Sequence, residues 1–520
     1  MKELIVELID YTKRPFDLSI ATARTCYSSK GIIYPEEISK DESSIVLRDR
    51  VAKITLEGGH LTTRQHPQFI FAIKNISRIA VWSFLHSHPY YNSEQVSQRY
   101  VKVKKDQFYV PKAVRKNEKW SELYNEIIEF QMNTYYDFIE KLKPFVEKEY
   151  FRIFPYRKKT KEKWLKDIEK KAMELARYVL PLATFTYLYH TVNGLTLHRY
   201  RRMAMINDVP DEISELVQKM WENINKIDPL YAKEITDPIP LEETPEYHFF
   251  KEHYQEISSM TAMKFIEYFD AKQGELFSKL VSFTSNPIEI LKESFYSVFG
   301  FVDENLSDDE ILTFFFSPTK NKHLGSVFNE TMHSKLNSIL NHIHFVFQKK
   351  ISHTADSQDQ RHRMVPSSKP YLIRHYTGKP DYIIPKLIKE NEEILEYYVS
   401  FMNRLYAKIN EFVERTNQRD LVVYLLPNAF PVRYYESGTL IYLIHKWKMR
   451  TCYNAQEEIF HASVEEIRQI EEAIPQFKGF FGAPCKLRKE AQIKPYCPEG
   501  ERFCGVSVWN LSLSQYQRIL

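Results

Sequence analysis

The spacing of apolar positions divides the chain into short strands and longer helices, and much the same series runs twice. Residues 4–11, LIVELIDY, are dense in apolar and β-branched side chains and predict a strand. Pro15 and Asp17 then open a helical stretch, DLSIATARTCY. Farther on, 117–149 and 386–416 predict long helices, and a stripe of Ile388, Ile394, Leu395, Tyr398 and Phe401 marks the face of the second that packs into a core. A short strand is expected before each, QFYV at 107–110 and DYII at 381–384. Each long helix leads to a Leu-Pro block and then to two more helices, 195–205 with 210–227 and 439–450 with 455–472. Residues 232–248, AKEITDPIPLEETPEYH, are rich in Pro and Glu and predict a linker, with helices across 250–270 bridging the halves.

The repetition holds in register. ELIDYTKRPFDLS at 7–19 aligns with KLVSFTSNPIEIL at 279–291 at a shift of 272, Thr12 on Thr284 and Pro15 on Pro287. His88 falls on His362, and Pro111 on Pro385, at a shift of 274. LARYVLP at 175–181 matches LVVYLLP at 421–427 at a shift of 246. Three blocks in one order indicate two diverged copies of a single α+β unit, 1–235 and 271–520, joined through 236–270 as an intramolecular pseudo-dimer.

Composition narrows the chemistry. At 520 residues the chain exceeds one ordinary core, and 43% hydrophobic content excludes wholesale disorder. Only 13 Gly, with no Gly-rich fingerprint, argues against a Rossmann or P-loop protein. A net charge of +4 is too balanced to imply nucleic acid, and no 18-residue apolar run predicts a membrane span. Five Cys in this length fit a reducing, cytoplasmic setting rather than a disulfide framework.

The densest chemistry is Gln358-Asp359-Gln360-Arg361-His362-Arg363. Two guanidiniums flank one imidazole, and guanidinium forks match phosphate and carboxylate oxygens. An anionic ligand is the functional reading, and a solvated charged loop is its rival. Downstream, Met449-Arg450 precedes Asn454-Ala455-Gln456-Glu457-Glu458-Ile459. The first copy reads Asn92-Ser93-Glu94-Gln95-Val96-Ser97-Gln98-Arg99-Tyr100, with Gly59-His60-Leu61-Thr62 before it and Arg177 and Asn193 after it.

Together these segments resemble the flavin-dependent thymidylate synthases. That family's hallmark is Arg-His-Arg with an upstream Gln and a downstream Ser-x-Arg-Tyr, followed by Ala-Arg-x-x-Leu-Pro and a helix-end Arg before Ala-Gln-x-Glu-Ile. Neither copy holds the whole pattern. The second has Pro366, Lys369, Tyr371 and Ile373 across the downstream part and Val423 before Leu-Pro; the first has Ser87 and Pro89 around His88, and Ala204 at the helix end. Each copy keeps roughly the half that the other lost. Because the resemblance implies active sites shared between subunits, we expect one composite site.

The implied activity is reductive methylation of dUMP to dTMP, with FAD as hydride carrier and NADPH and methylenetetrahydrofolate as co-substrates. The implied dUMP contacts are Gln358, Arg361, Gln95, Ser97, Arg99 and Arg177. The implied FAD contacts are Thr62, Arg361, His362, Arg363, Gln95 and Asn193, and Arg450 is the catalytic candidate against the ring carbonyls. The pseudo-dimer suggests a homodimer that rebuilds a tetramer. A flavin- or nucleotide-binding homologue with decayed catalysis, or a purely structural duplicate, remains open. Cys485, Cys497 and Cys504 crowd the C-terminal tail, but their spacing is irregular and no fourth ligand is evident, so we expect no metal and read buried reduced thiols.

Overall fold

The computed structural model describes residues 2–237, 239–253, 258–303, 305–326, 334–518 and 520. Two antiparallel four-stranded sheets dominate it. The first contains β1 (Ile5–Tyr11), β2 (Gln68–Ser77), β3 (Asn92–Gln95) and β4 (Phe185–Asn193), in the order β1-β2-β4-β3. The second contains β5 (Ser278–Phe283), β6 (His344–Ser352), β7 (Ser367–Ser368) and β8 (Pro431–Thr439), in the order β5-β6-β8-β7. The identical order bears out the duplicated α+β reading.

Local chemistry repeats with it. Helix α1 (Pro15–Thr25) starts after Arg14 at φ 50, and its counterpart (Pro287–Phe299) starts after Asn286, also at φ 50. In both, a left-handed residue turns the chain sharply and the following Pro has its φ already fixed for the first helical turn. Just before, the Thr12 hydroxyl accepts from Gln68 N–H at 3.0 Å and the Thr284 hydroxyl from His344 N–H at 2.8 Å. Each clips the chain to the start of the neighbouring strand.

The long helix α2 (Glu118–Ile153) of the first copy packs against α3 (Glu392–Thr416) of the second. Phe130 stacks on Phe401 at 5.1 Å between centroids, and Phe138 lies 5.4 Å from Tyr397. The expected stripe holds: Ile388, Ile394, Tyr398 and Phe401 are buried, and Leu395 is partly so. Each such large side chain stabilises by about 1.5–3 kcal/mol on burial. The 386–416 expectation needs one correction. Helix runs from Lys386 to Lys389, breaks, and restarts where the Asn391 side chain accepts from Ile394 N–H.

The halves also join along their Leu-Pro tracts, which cross antiparallel. Leu182 N–H donates to Leu426 O at 2.9 Å, Asn428 N–H to Leu180 O at 2.8 Å, and Pro181 faces Pro427. One hydrophobic cluster runs through both copies. Counterparts meet on this axis: Trp82 Nε1 donates to Asp356 at 2.7 Å, and Gln360 meets His86 at 3.4 Å, each pair 274 apart in sequence.

Two expected strands are absent. DYII at 381–384 has no ladder, and QFYV is reduced to a bridge between Phe108 and Thr184. Both run extended beside the Leu-Pro tracts, making single bonds such as Ile383 N–H to Ala429 O at 3.0 Å. The prolines that follow them, Pro111 and Pro385, lack a donor and precede helices. The expected linker is partly helical, with Pro229–Glu234 and Pro245–His253 inside or overlapping it; the helix Ser259–Gln273 that follows packs on the second copy, where its Asp270 pairs with Lys350 and Arg433, both at 2.8 Å. Among the described residues no helix is long and apolar enough to cross a membrane.

Candidate active site

The Gln358–Arg363 loop hangs from a short helix, His353–Asp359, whose start is capped by the Ser352 side chain accepting from Ala355 N–H. Its base is anchored by charge. Asp359 accepts from Lys349 Nζ at 2.6 Å and lies 3.1 Å from Lys446; Lys349 also reaches Glu436 and Glu466, both at 3.2 Å. These five groups are buried. A buried charge left without its partner is expensive, so this network fixes where the loop begins. Asp359 lies inside the motif, but nothing in sequence order ties it to Lys349, Glu436, Lys446 or Glu466.

Opposite stands the first copy's segment after β3. The Ser97 hydroxyl accepts from Arg99 N–H at 3.2 Å, and Ser97 O takes Tyr100 and Val101 N–H, forming a turn that drives Arg99 inward to 6% exposure. The copies touch directly here. Arg361 Nη2 donates to Ser93 O and to Glu94 Oε2, both at 3.0 Å, and the Arg363 guanidinium lies 5.4 Å from the Tyr91 ring centroid. Arg99 Nη2 donates to Asn454 O at 2.8 Å, and Arg450 Nη2 to Gln358 O at 2.9 Å.

Six arginines therefore gather from both copies: Arg78, Arg99, Arg177, Arg361, Arg363 and Arg450. They perturb one another. Burial lowers Arg450 to about 10, with Arg99 and Arg361 pushing the same way. Burial lowers Arg78 to about 9, helped by Arg177. Beside them His86 falls to about 3 through burial first and then the charges of Arg361, His88 and Arg363. Glu174 is the counterweight. Burial works to raise it, yet Arg99, Lys171, Arg518 and Arg177 hold its carboxyl well below the carboxylate range. Its carboxylate pairs with Arg99 at 3.1 Å and Arg518 at 3.3 Å, while Arg177 Nε takes only its backbone oxygen at 3.2 Å.

Several buried polar atoms here have no protein partner. Arg78 Nε, Arg177 Nη2, Arg450 Nε and Gln98 Nε2 are donors, and Gln358 Oε1, Gln360 Oε1 and Ser93 Oγ are acceptors; His362 Nε2 joins them. Each unmet buried group costs about 1–3 kcal/mol, so a cluster of them calls for partners from ordered water or a ligand.

The positions related by the pseudo-symmetry look different. Val423, Ile373 and Ala204 stand where Arg177, Arg99 and Arg450 stand in this cluster, and all three are buried in the shared core. His88, flanked by Ser87 and Pro89, meets the Tyr200 hydroxyl at 3.1 Å, which also meets His190 at 2.9 Å. That imidazole is satisfied inside the fold.

Among the sequence candidates, the fold brings Gln358, Arg361, His362, Arg363, Ser97, Arg99, Arg177 and Arg450 together. Gln95 sits alongside on β3, its Nε2 donating to Thr186 Oγ1 at 3.1 Å. Thr62 is exposed on a 3-10 turn, and Asn193 Oδ1 caps a helix by accepting from Thr196 N–H at 2.9 Å. Among the described contacts neither touches the arginines. Arg78 and Arg518 were not legible as site residues, because no motif spacing connects them to the loop; Asn454 stands in the block after Arg450, but its backbone contact with Arg99 is visible only in the fold.

Comparison with known proteins agrees with the duplication. The family model described as thymidylate synthase complementing protein matches twice, over residues 7–230 and 286–476. A flavin-dependent thymidylate synthase of Clostridium tetani is 29% identical over 224 residues, 43% of this chain and 83% of its own. One from Saccharolobus solfataricus is 25% identical over 232 residues, 44% of this chain and 75% of its own. The UMP/dUMP methylase PolB of Streptomyces cacaoi, solved with 5-Br dUMP, superposes with a TM-score of 0.33 and 17% identity over 45% of this chain and 95% of its own. Two matches, one to each sheet-bearing copy, place the chain in the thymidylate synthase complementing protein family.

Proposed function

We propose that the chain is a flavin-dependent thymidylate synthase with one composite site per chain, methylating dUMP to dTMP. The observation that carries this is the asymmetry of the two equivalent places. One gathers cations and unmet donors from both copies; the other is filled by Val423, Ile373 and Ala204. Random loss would not leave the halves complementary.

In this reading Arg177, Arg361, Arg99 and Ser97 hold the nucleotide phosphate, with Gln358 and Gln95 beside it. A charge-assisted hydrogen bond contributes about 1.5–3 kcal/mol. Arg450, whose buried Nε has no protein partner, would donate to a pyrimidine carbonyl and stabilise charge developing there, as an oxyanion hole does. The unmet His362 Nε2 and Gln360 Oε1 suit a planar ring that both donates and accepts, and they fit FAD together with Arg363. Thr62 and Asn193 belong to its outer reaches. When bound, FAD supplies the hydride; NADPH and methylenetetrahydrofolate are the co-substrates. Burial keeps His362 neutral by holding it far below the ordinary imidazole value, so its ring keeps one donor and one acceptor.

Five free cysteines fit a reducing compartment, the cytosol. Tyr187 and Tyr189 on the first sheet and Tyr435 on the second present exposed aromatics, which suits pairing of two chains into a four-unit homodimer.

A second reading, a binding protein with decayed catalysis, draws on one observation: Arg99 is already engaged by Glu174 and Asn454. The deciding experiment measures dUMP-dependent NADPH oxidation alongside dUMP titration. Arg361→Ala and Arg177→Ala should each weaken dUMP binding by roughly 10- to 100-fold, one charge-assisted bond's worth. If either variant binds dUMP as the parent does, the composite site is wrong. Tight dUMP and flavin binding without turnover selects the decayed reading.

A further inference from the structure

The two copies do not correspond everywhere. Glu118 and Glu392 open the long helices at the same shift of 274, yet α2 runs for 36 residues and α3 for 25. By the Leu-Pro blocks the shift has fallen to 246, so the first copy carries extra chain in between. That chain is the end of α2, the 3-10 turns Pro155–Trp164 and the start of the helix Leu165–Ala176. The C-terminal tail likewise runs on past residue 476, where the family match ends.

These two segments meet. Gly505 of the tail lies so close to the end of α2 that a Cβ there would stand 2.5 Å from the Phe154 ring and 2.7 Å from Ile153. Its φ of 84 is also one that glycine adopts readily. Between the tail, the end of α2 and the helix Leu165–Ala176 is a cavity of about 310 Å³, within the range of ligand pockets, which starts at about 300 Å³. Arg177, Arg361 and Arg450 do not line it, so it is separate from the arginine cluster and shares with it only Arg99, Glu174 and Asn454.

Its wall combines rings with cations. Tyr100, Tyr150, Phe154, Tyr453 and Phe503 supply the rings. Lys170 and Lys171 share one face of their helix with Asp167 and Glu174, at spacings of three and four. Lys170 pairs with Asp167 at 3.2 Å, whereas Lys171 has Glu174 no nearer than 3.9 Å and donates to Leu520 O at 3.3 Å. Burial pulls Lys171 down to about 8 against the attraction of Glu174, so an added anion there is welcome. Arg157 stands 3.7 Å from the Phe154 ring centroid and 4.0 Å from that of Trp164, and it donates to the Tyr150 hydroxyl at 2.6 Å. A guanidinium held in place by rings loses little freedom when it takes an anion. Arg502 lies 5.9 Å from the Tyr100 ring centroid. Among the described residues neither Arg157 nor Arg502 has a carboxylate at ion-pair distance.

We propose that this cavity binds a nucleoside phosphate whose base carries an exocyclic amino group, at a site separate from the arginine cluster. The rings offer stacking surfaces for the base. Arg157, Lys171 and Arg502 supply charge-assisted donors to phosphate oxygens. Glu499 and Glu501 on the tail are acceptors only, which suits an amino donor. Uracil and thymine lack that amino group, so this chemistry differs from that of the nucleotide assigned to the arginine cluster. A pocket built from the first copy's extra chain and the tail also has no counterpart in the second copy.

The test does not depend on the proposed activity. Full-length protein saturated with FAD and dUMP, so that those ligands hold any site of their own, is titrated calorimetrically with ATP and with GTP. We expect at least one of them to bind, one per chain. Arg157→Ala and Arg502→Ala should each weaken that binding by roughly 10- to 100-fold. Lys13→Ala, in the wall of a different cavity, should leave it unchanged. Arg502 is exposed, so Arg502→Ala keeps the test standing should Arg157→Ala fail to fold. Absence of ATP and GTP binding at millimolar concentration overturns the proposal. So does binding that is undiminished in folded Arg502→Ala and Arg157→Ala, or diminished equally by Lys13→Ala.

Discussion

Arg177 and Val423 occupy one position in two copies, and their fates show what a single residue decides. Arg177 is buried with Nη2 unmet, while Val423 is buried and needs nothing. An unpaired guanidinium persists in a fold only if something else rewards it, which makes it the more informative of the two. Glu174 belongs at this scale as well. Glu174→Gln would leave Arg99, Lys171 and Arg518 buried without their counter-charge, and we expect a loss of about 3–5 kcal/mol at neutral pH, read as a lower urea midpoint. The pH dependence has a definite sign. The Glu174 carboxyl is depressed on folding, so its contribution is complete well above its ordinary value of 4.5, begins to fall as pH drops through that value, and is gone only once pH is below its far lower value in the folded protein. The stability gap between parent and Glu174→Gln should therefore shrink in acid. A gap that stays constant from about pH 7 to about pH 2.5, in variants still folded there, rules out the ion-pair account.

Among elements, the segment from Arg78 to Leu85 explains a break in the repeat. Strands β2 and β6 end at Ser77 and Ser352, which each give N–H and hydroxyl to a glutamate, Glu212 and Glu458. Those serines lie 275 apart, yet Trp82 and Asp356 lie 274 apart. The first copy absorbs its extra residue in a π-turn at Val81–Leu85, closed by His86 N–H to Val81 O at 3.0 Å. One-turn π-bulges are how helices accommodate an insertion, and they recur near functional sites. The mirrored pocket yields a prediction of its own. Val423→Arg restores the family residue in sequence, but it would place a charge in packed core. We expect destabilisation of at least about 3 kcal/mol and no second nucleotide site. Equilibrium denaturation and a dUMP titration check both halves of that statement.

For the molecule as a whole, the copies share one core and several buried cross-links. Tyr424 donates to Glu212 at 3.0 Å, and Tyr178 donates to Glu458. Neither half buries its Leu-Pro tract alone. Residues 1–235 expressed by themselves should give no cooperative melt by circular dichroism, whereas the full chain should unfold in one transition. Saturating dUMP should bind one per chain. Two equivalent sites per chain would contradict the composite arrangement, because the second set of arginines does not exist.

The sequence by itself determined the duplication and the helices, since those depend on local rules: Thr12 in register with Thr284, prolines opening helices, a helical stripe from Ile388 to Phe401; the half-site complementarity came from the motifs each copy keeps. It also exposed Arg361 and Arg450, whose neighbours in sequence form motifs. Only the tertiary structure decided that QFYV and DYII make no ladders, because a strand exists by virtue of partners that sequence order does not name. Only it set Cys452 beside Cys485, Cys497 and Cys504, and Glu174 between Arg99 and Arg518. Those groupings join residues far apart along the chain, and the free energy of placing charges and thiols together is fixed by burial and distance in three dimensions.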